Sequence, residues 1–153
     1  MTRKPVPLPS AETIAAYEQT DYLADDQPPV CLRIGDDDQR HQPWLVRHNA
    51  RSASILTAWN PFGQELPAAE NDALQQRLQH TIVQSGLHWL PARGEDPKGS
   101  WTPEPGFCVF DVPAAMLDEW LQLFRQNAAV RLETGQGCTL VWHPAIRRQM
   151  ANG

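Results

Sequence analysis

The chain has 153 residues, with 18 acidic and 13 basic side chains and a formal net charge of −5. A chain of this length buries roughly 70% of its unfolded surface, so it fits one domain with one hydrophobic core. Its 14 prolines exclude a long-helix bundle or a coiled coil, because proline breaks helix interiors. Its acidic balance excludes nucleic acid as the expected partner, since phosphate binding depends on clustered Lys and Arg.

Targeting signals and metal-binding spacings are not expected in this sequence. No apolar run approaches the roughly 20 residues that a membrane-spanning helix needs, and the charged start is followed by no apolar stretch. We therefore expect a cytoplasmic protein without a membrane partner. Cys31, Cys108 and Cys138 lie far apart and predict reduced, mostly buried thiols. The five histidines have no metal-binding spacing, so no metal or other cofactor is predicted.

The first part of the chain predicts an arm, a helix and a strand. Alternating prolines predict an extended, loosely held arm over residues 1–9. Ser10 is a suitable N-cap for a helix over residues 11–23, which the following acidic and proline residues end. Residues 30–34 predict a short strand, and residues 35–38 an acidic turn.

In the middle of the chain, the sequence predicts strands interspersed with two helices. Strands are predicted at residues 54–59, 87–90, 107–110, 128–132 and 138–142. A helix follows Pro67, with a buried stripe of leucine and isoleucine, and ends at Gly86. A second helix follows Pro113 and carries apolar residues at the spacing i, i+3, i+4, i+7. The last two strands are predicted to form a hairpin.

The order strand, helix, strand, strand, helix, strand is that of the split β-α-β (ferredoxin-like) arrangement. It predicts a mostly antiparallel sheet with both helices on one face. We therefore expect a single α+β domain over residues 10–145, with extra edge strands and an N-terminal helix. Residues 146–153 predict a polar tail that frays.

Four polar segments between these elements follow a recognisable order. They are Thr57-Ala58-Trp59-Asn60-Pro61, then Asn71, then the glycine- and proline-rich stretch from Gly94 through Trp101 to Glu104, then Phe124-Arg125-Gln126-Asn127-Ala128. Together they resemble a bacterial family known only as domain of unknown function 3293. The resemblance covers about residues 55–130, and Arg125 departs from the glycine that the family usually has there. It implies no activity, because none is established for the family.

Asn60 and Asn71 each have two interpretations. The Asn60 side chain either closes an Asx-type turn by bonding the backbone two residues on, or offers its amide to a ligand at the end of a strand. Asparagine is a poor residue inside a helix. Asn71 therefore either faces solvent or turns inward and braces the Asn60 loop.

Residues 91–106 are predicted to form a long loop, and long ordered loops often carry function. Trp101 either anchors this loop in the core or forms a wall of a pocket. Glu104 lies between two prolines that restrict the backbone. It either pairs with Arg93 or Arg77, or acts as a general base or a cation contact.

Gln126 and Asn127 close the last long helix of the predicted core. Asn127 is expected to take the left-handed conformation that ends many helices. Gln126 is then free to reach across to the neighbouring loops.

Three functional hypotheses follow. The preferred one is a binding module for a small polar molecule or a protein segment, with a site formed by Asn60, Asn71, Trp101, Glu104 and Gln126. The second is a small enzyme in which Glu104 is the general acid or base and two amides orient the substrate. The third is pairing through exposed edge strands with a partner or a second copy. A monomer or weak homodimer is expected.

Overall fold

A computed structural model describes residues 5–152 and shows an α+β fold. Its helices are α1 (Ala11–Gln19), α2 (Asp38–Arg47), α3 (Ala68–Ser85), α4 (Ala114–Leu123) and α5 (Pro144–Asn152). Its strands are β1 (Asp21–Ala24), β2 (Val30–Leu32), β3 (Ser52–Leu56), β4 (Trp89–Glu95), β5 (Glu104–Phe110), β6 (Ala128–Glu133) and β7 (Gly137–Trp142). A short 3₁₀ turn (Pro61–Gly63) follows β3. Among these described helices, none is long and apolar enough to cross a membrane.

The strands form one antiparallel sheet in the order β2-β1-β4-β5-β3-β6-β7. The sheet curls until the turn after β2 meets β7. The Gly35 N–H donates to the Cys138 carbonyl and the Cys138 N–H donates to the Asp36 carbonyl, each over 2.9 Å. A Cβ at Gly137 would lie 2.8 Å from the Asp36 carbonyl oxygen, so this closure requires glycine.

Alternation of side chains along the strands gives the sheet two apolar faces. On the inner face, within the curl, residues from all seven strands form one apolar cluster. Trp44 and Leu45 of α2 complete this cluster. The outer face packs against α3 and α4 through a second cluster that includes Leu78 and Leu117. The inner face matters for function, because it leaves space at the end opposite α2.

Near the N-terminus, one predicted boundary was wrong and one helix was missed. The helix predicted over residues 11–23 ends at Gln19, where the Thr20 hydroxyl donates to the Ala16 carbonyl and the next residues pair with both β2 and β4. Helix α2 was not predicted, because it contains Pro43 and most of its side chains are polar. The predicted arm lies partly outside the described residues, at 1–4, and residues 5–9 form no regular element.

Two loop predictions were also wrong. Residues 91–106 are not one loop, because β4 and β5 pair along most of that stretch and leave only residues 96–103 between them. The segment predicted to fray forms α5, since Ile146 is fully buried and Arg147 bonds to Asp118 of α4. The hairpin of β6 and β7 and the left-handed end of α3 at Gly86 are confirmed. The domain bounds at residues 10 and 145 stay a prediction.

Ser54 tests the packing on the outer face of β3. Its side chain is fully buried and its hydroxyl has no hydrogen-bond partner among the described residues. An unsatisfied buried hydroxyl costs stability. We therefore expect Ser54→Ala to raise the free energy of unfolding in urea by about 1 kcal/mol. Ser52→Ala is the control, because the Ser52 hydroxyl accepts from Arg131. A destabilised Ser54→Ala would contradict this packing.

Candidate functional site

A cavity of about 350 Å³ lies between α1 and the inner face of the sheet. Thr13, Ala16 and Tyr17 of α1 form one wall. Strand residues, among them Ile55 and Val130, form the floor. Residues 57–60 after β3 and 124–127 after α4 form the rim, and we call them the rim loops. The volume lies within the range of small-molecule sites, roughly 300–1,000 Å³.

Gly106 lets β3 and β5 approach each other closely at the floor of the cavity. A Cβ there would lie 2.7 Å from the Leu56 carbonyl oxygen, which is backbone and cannot move aside cheaply. Any side chain would therefore push β3 away from β5. The glycine allows the close approach of the two strands immediately beside Glu104.

Four of the five candidate side chains line the cavity: Asn60, Trp101, Glu104 and Gln126. The fifth, Asn71, is 1% exposed and lies behind the rim loop that carries Asn60. Trp101 is 40% exposed, so it is a cavity wall and not an anchor in the core. The five residues therefore come together, four as lining and one as support.

Asn71 braces Asn60. The Asn60 backbone N–H donates to Asn71 Oδ1 over 2.9 Å, and Asn71 Nδ2 donates to Asn60 Oδ1 over 2.8 Å. The same Asn60 oxygen accepts from the Leu66 N–H over 3.0 Å, so the expected Asx turn to the second residue on is wrong. Asn60 itself takes the left-handed conformation, with φ of 47°. The two hydrogen bonds with Asn71 therefore hold Asn60 in this strained backbone conformation at the rim of the cavity.

Gln75 is a positioning residue that the sequence analysis missed. Its Oε1 accepts from the Ala58 N–H over 2.7 Å, and its Nε2 donates to the Pro105 carbonyl over 2.6 Å. One side chain of α3 thus joins the first rim loop to the start of β5, directly after Glu104. The sequence does contain a signal for Gln75. It lies at helical spacing on the same buried stripe of α3 as Asn71, Leu78 and Ile82.

The second rim loop ends α4 with a Schellman motif. The Gln126 N–H donates to the Leu121 carbonyl and the Arg125 N–H donates to the Gln122 carbonyl. Arg125 has φ of 53°, so Arg125 and not Asn127 takes the left-handed position. This explains the glycine of the family pattern at that place, since glycine adopts this conformation without strain.

The two rim loops are tied to each other. Gln126 Nε2 donates to the Trp59 carbonyl over 3.3 Å. The Phe62 N–H donates to the Arg125 carbonyl over 2.8 Å, and the Arg125 guanidinium lies 5.5 Å from the Phe62 ring centre. The amide of Gln126 therefore serves mainly as a brace.

Glu104 is the partly buried carboxyl group of the cavity. It starts β5 on the inner face, and no hydrogen bond or ion pair engages its carboxylate among the described residues. The alternative that Glu104 pairs with Arg93 or Arg77 is wrong, because neither arginine bonds to it in the described part of the chain and Arg93 Nε bonds to Glu95 Oε1 over 2.5 Å. Burial raises the pKa of Glu104 from its ordinary value of 4.5 to about 7.

Two tyrosines lie near this carboxyl group. Burial, the largest cause, and the nearby Glu104 charge together raise the pKa of Tyr17 to about 12, against a lowering by the Asn127 amide. Burial also raises the pKa of Tyr22, whose hydroxyl donates to the Tyr17 carbonyl over 3.1 Å. Both phenols stay neutral near pH 7 and present aromatic surface to the cavity.

Residues 5–152 contain no group of three or more His, Cys, Asp or Glu side chains placed to hold a metal ion. The cavity lining offers carboxylates, amides, hydroxyls and aromatic rings. This donor set suits recognition of a polar organic molecule.

Residues 56–129 match a family model described as "Protein of unknown function (DUF3293)". The matched segment is just under half of the chain and is similar to that family. The match confirms the resemblance seen in the sequence. The DUF3293 segment contains both rim loops, Gln75 and Glu104, whereas α1 and β1, which complete the cavity, precede it. No curated protein and no solved structure matches the chain.

Asn71→Ala tests the brace behind the rim. The variant leaves the Asn60 N–H and Oδ1 without their buried partner, and we expect it to lower the free energy of unfolding by about 2–3 kcal/mol in urea denaturation. Asp72→Ala, on the exposed side of the same turn, is the control and should change stability by less than about 0.5 kcal/mol. Equal effects of both variants would contradict the bracing role.

Glu104 predicts a pH dependence of stability. Its pKa is raised in the folded chain, so between pH 4.5 and about 7 the folded state binds more protons than the unfolded state. Stability contributed by this group is therefore full below pH 4.5 and is lost as pH rises to 7, by about 3 kcal/mol. Urea denaturation of Glu104→Gln across this range should lack that loss.

The control for this titration is Glu119→Gln, on the exposed surface of α4. It should keep the loss of stability that Glu104 causes. An identical pH profile for Glu104→Gln and the unaltered chain would show that the Glu104 carboxyl is not desolvated.

Proposed function

We propose that this chain binds a small polar molecule in the cavity under α1, with the Glu104 carboxyl group as its principal contact. The observation that carries the proposal is the position of Glu104, which has no protein partner among the described residues and lies in a cavity of about 350 Å³. An unpaired carboxyl group away from bulk water costs free energy. A ligand that satisfies it would recover that cost.

The rim supports the same proposal. Asn60 Oδ1 is occupied by Asn71 and Leu66, while no described residue accepts from Asn60 Nδ2, so this donor is available to a ligand. Trp59 and Trp101 add apolar walls to the same opening. A concave site with apolar walls and few fixed polar groups is typical of small-molecule recognition. It suits a small molecule better than a protein segment.

Catalysis by Glu104 is the second candidate. A carboxyl group with a pKa of about 7 can donate or accept a proton at neutral pH, as general acid–base catalysis requires. The described residues that line the cavity include no Ser, Cys, His or Lys, so Glu104 would act without a protein nucleophile of those types. Binding is therefore the function that we favour.

Edge-strand pairing has less support than either ligand binding or catalysis by Glu104. The turn after β2 occupies part of the free edge of β7 at Cys138, and β2 has three residues. A long unpaired edge would favour such pairing more. We retain a cytoplasmic location and a monomer or weak homodimer as proposals.

We also propose that β3, α3, β4, β5, α4 and β6 form a split β-α-β (ferredoxin-like) core. Its support is the strand order β4-β5-β3-β6 and the packing of both helices on the outer face. In this interpretation, β1, β2 and β7 extend the core sheet, and α1 and β1 complete the cavity on its inner face.

A fragment screen tests the binding proposal. Amines, alcohols and carboxylates of comparable size are added to ¹⁵N-labelled protein, and the indole signals of Trp59 and Trp101 are followed by NMR. At least one class should give saturable shifts, and Asn60→Ala and Trp101→Ala should weaken that binding about three- to tenfold. Val83→Ala, exposed on α3, is the control. Absence of any fragment binding in the cavity would contradict the proposal.

A further inference from the structure

We propose that the ligand of this cavity is an organic cation, a protonated amine that the Glu104 carboxylate pairs with and the surrounding aromatic rings enclose. This inference rests on the proposed binding function and names the ligand class. It follows from the charges and the ring surfaces of the cavity.

The charge of the lining is negative. Glu104 and the exposed Glu65 are its acidic residues, and Arg93 is its one basic residue among those described. Arg93 is engaged by Glu95 over 2.5 Å, so its charge is offset by a neighbour. An anionic ligand would therefore meet a carboxylate without a free cation beside it, whereas a cationic ligand would supply the missing partner of Glu104.

The walls of the cavity are rich in aromatic rings: Tyr17, Tyr22, Trp59 and Trp101. Aromatic faces attract cations, and tryptophan does so most strongly. Rings from α1, β1, the first rim loop and the 96–103 loop surround the same space as the Glu104 carboxyl group. This combination of one carboxylate with several rings is what recognition of an alkylammonium group requires.

A neutral ligand is the alternative, because protonated Glu104 could donate to a carbonyl. The two cases have opposite pH dependence. Cation binding needs the carboxylate, so affinity should rise about tenfold between pH 6 and pH 8 for a group with a pKa of about 7. A carbonyl ligand would lose affinity over the same range. The other charged or titratable groups facing the cavity are Tyr17, Tyr22, Arg93 and Glu65.

The test compares benzylammonium chloride with benzyl alcohol, which shares the ring but has no charge. Binding to the ¹⁵N-labelled chain is measured by NMR at pH 6 and pH 8. We expect benzylammonium to bind at least about tenfold more tightly than benzyl alcohol and to tighten as the pH rises. Glu104→Gln should remove that preference, with its fold checked by the backbone amide spectrum.

Two further variants keep the result interpretable. Trp101→Ala, in an exposed loop, should weaken benzylammonium binding without abolishing it, and Val83→Ala should leave it unchanged. Preference for benzyl alcohol, binding of carboxylate fragments alone, or unchanged benzylammonium affinity in Glu104→Gln would overturn the cation inference while leaving a binding site. Failure of every fragment class to enter the cavity would overturn the proposed function and the inference together.

Discussion

Two buried amides on α3 hold the candidate site together. Asn71 and Gln75 lie one turn apart, and their side chains satisfy backbone groups where β3 leaves the sheet. Without them, the rim loop at residues 57–60 would present unpaired polar groups to a buried environment, which costs stability. Gln75 also reaches the carbonyl of Pro105, so the loop and the residue after Glu104 are fixed by the same side chain.

This arrangement explains how the Glu104 carboxyl group can lie in the fold without a partner among residues 5–152. The closed curl of the sheet, α1 and the rim loops shield one end of the inner face from solvent, and the partly buried Glu104 lines that space. Burial raises its pKa, and among the described residues no neighbouring charge compensates the carboxylate. The fold carries this cost at one position, which is typical of a functional site.

The outcome for the sequence predictions follows from what each depended on. Local signals gave good results: the apolar period of α4, the glycine that ends α3 and the hairpin of β6 and β7 are all in place. Strand β1 was missed because its four residues form a strand only by pairing with β2 and β4. Helix α5 was missed because its stability comes from one buried isoleucine and a contact with α4.

The candidate site was also predictable only where its residues give a local signal in the sequence. Asn60, Trp101, Glu104 and Gln126 stood out as polar or large residues between elements, and all four line one cavity. Tyr17 and Tyr22 could not be assigned to it, because only the tertiary fold brings α1 and β1 over the DUF3293 segment. Gln75 could have been found, since it falls on the buried stripe of α3 where an apolar residue is expected.

The most direct test of this account is the pKa of Glu104 in Gln75→Met, measured from its side-chain carboxyl ¹³C signal. Methionine keeps the length and packing of the side chain but cannot bond Ala58 or Pro105. We expect the rim to loosen, water to enter, and the pKa of Glu104 to fall from about 7 toward its ordinary value of 4.5 in a chain that is still folded. A pKa that stays near 7 would contradict the claim that the amides of α3 keep the carboxyl group desolvated.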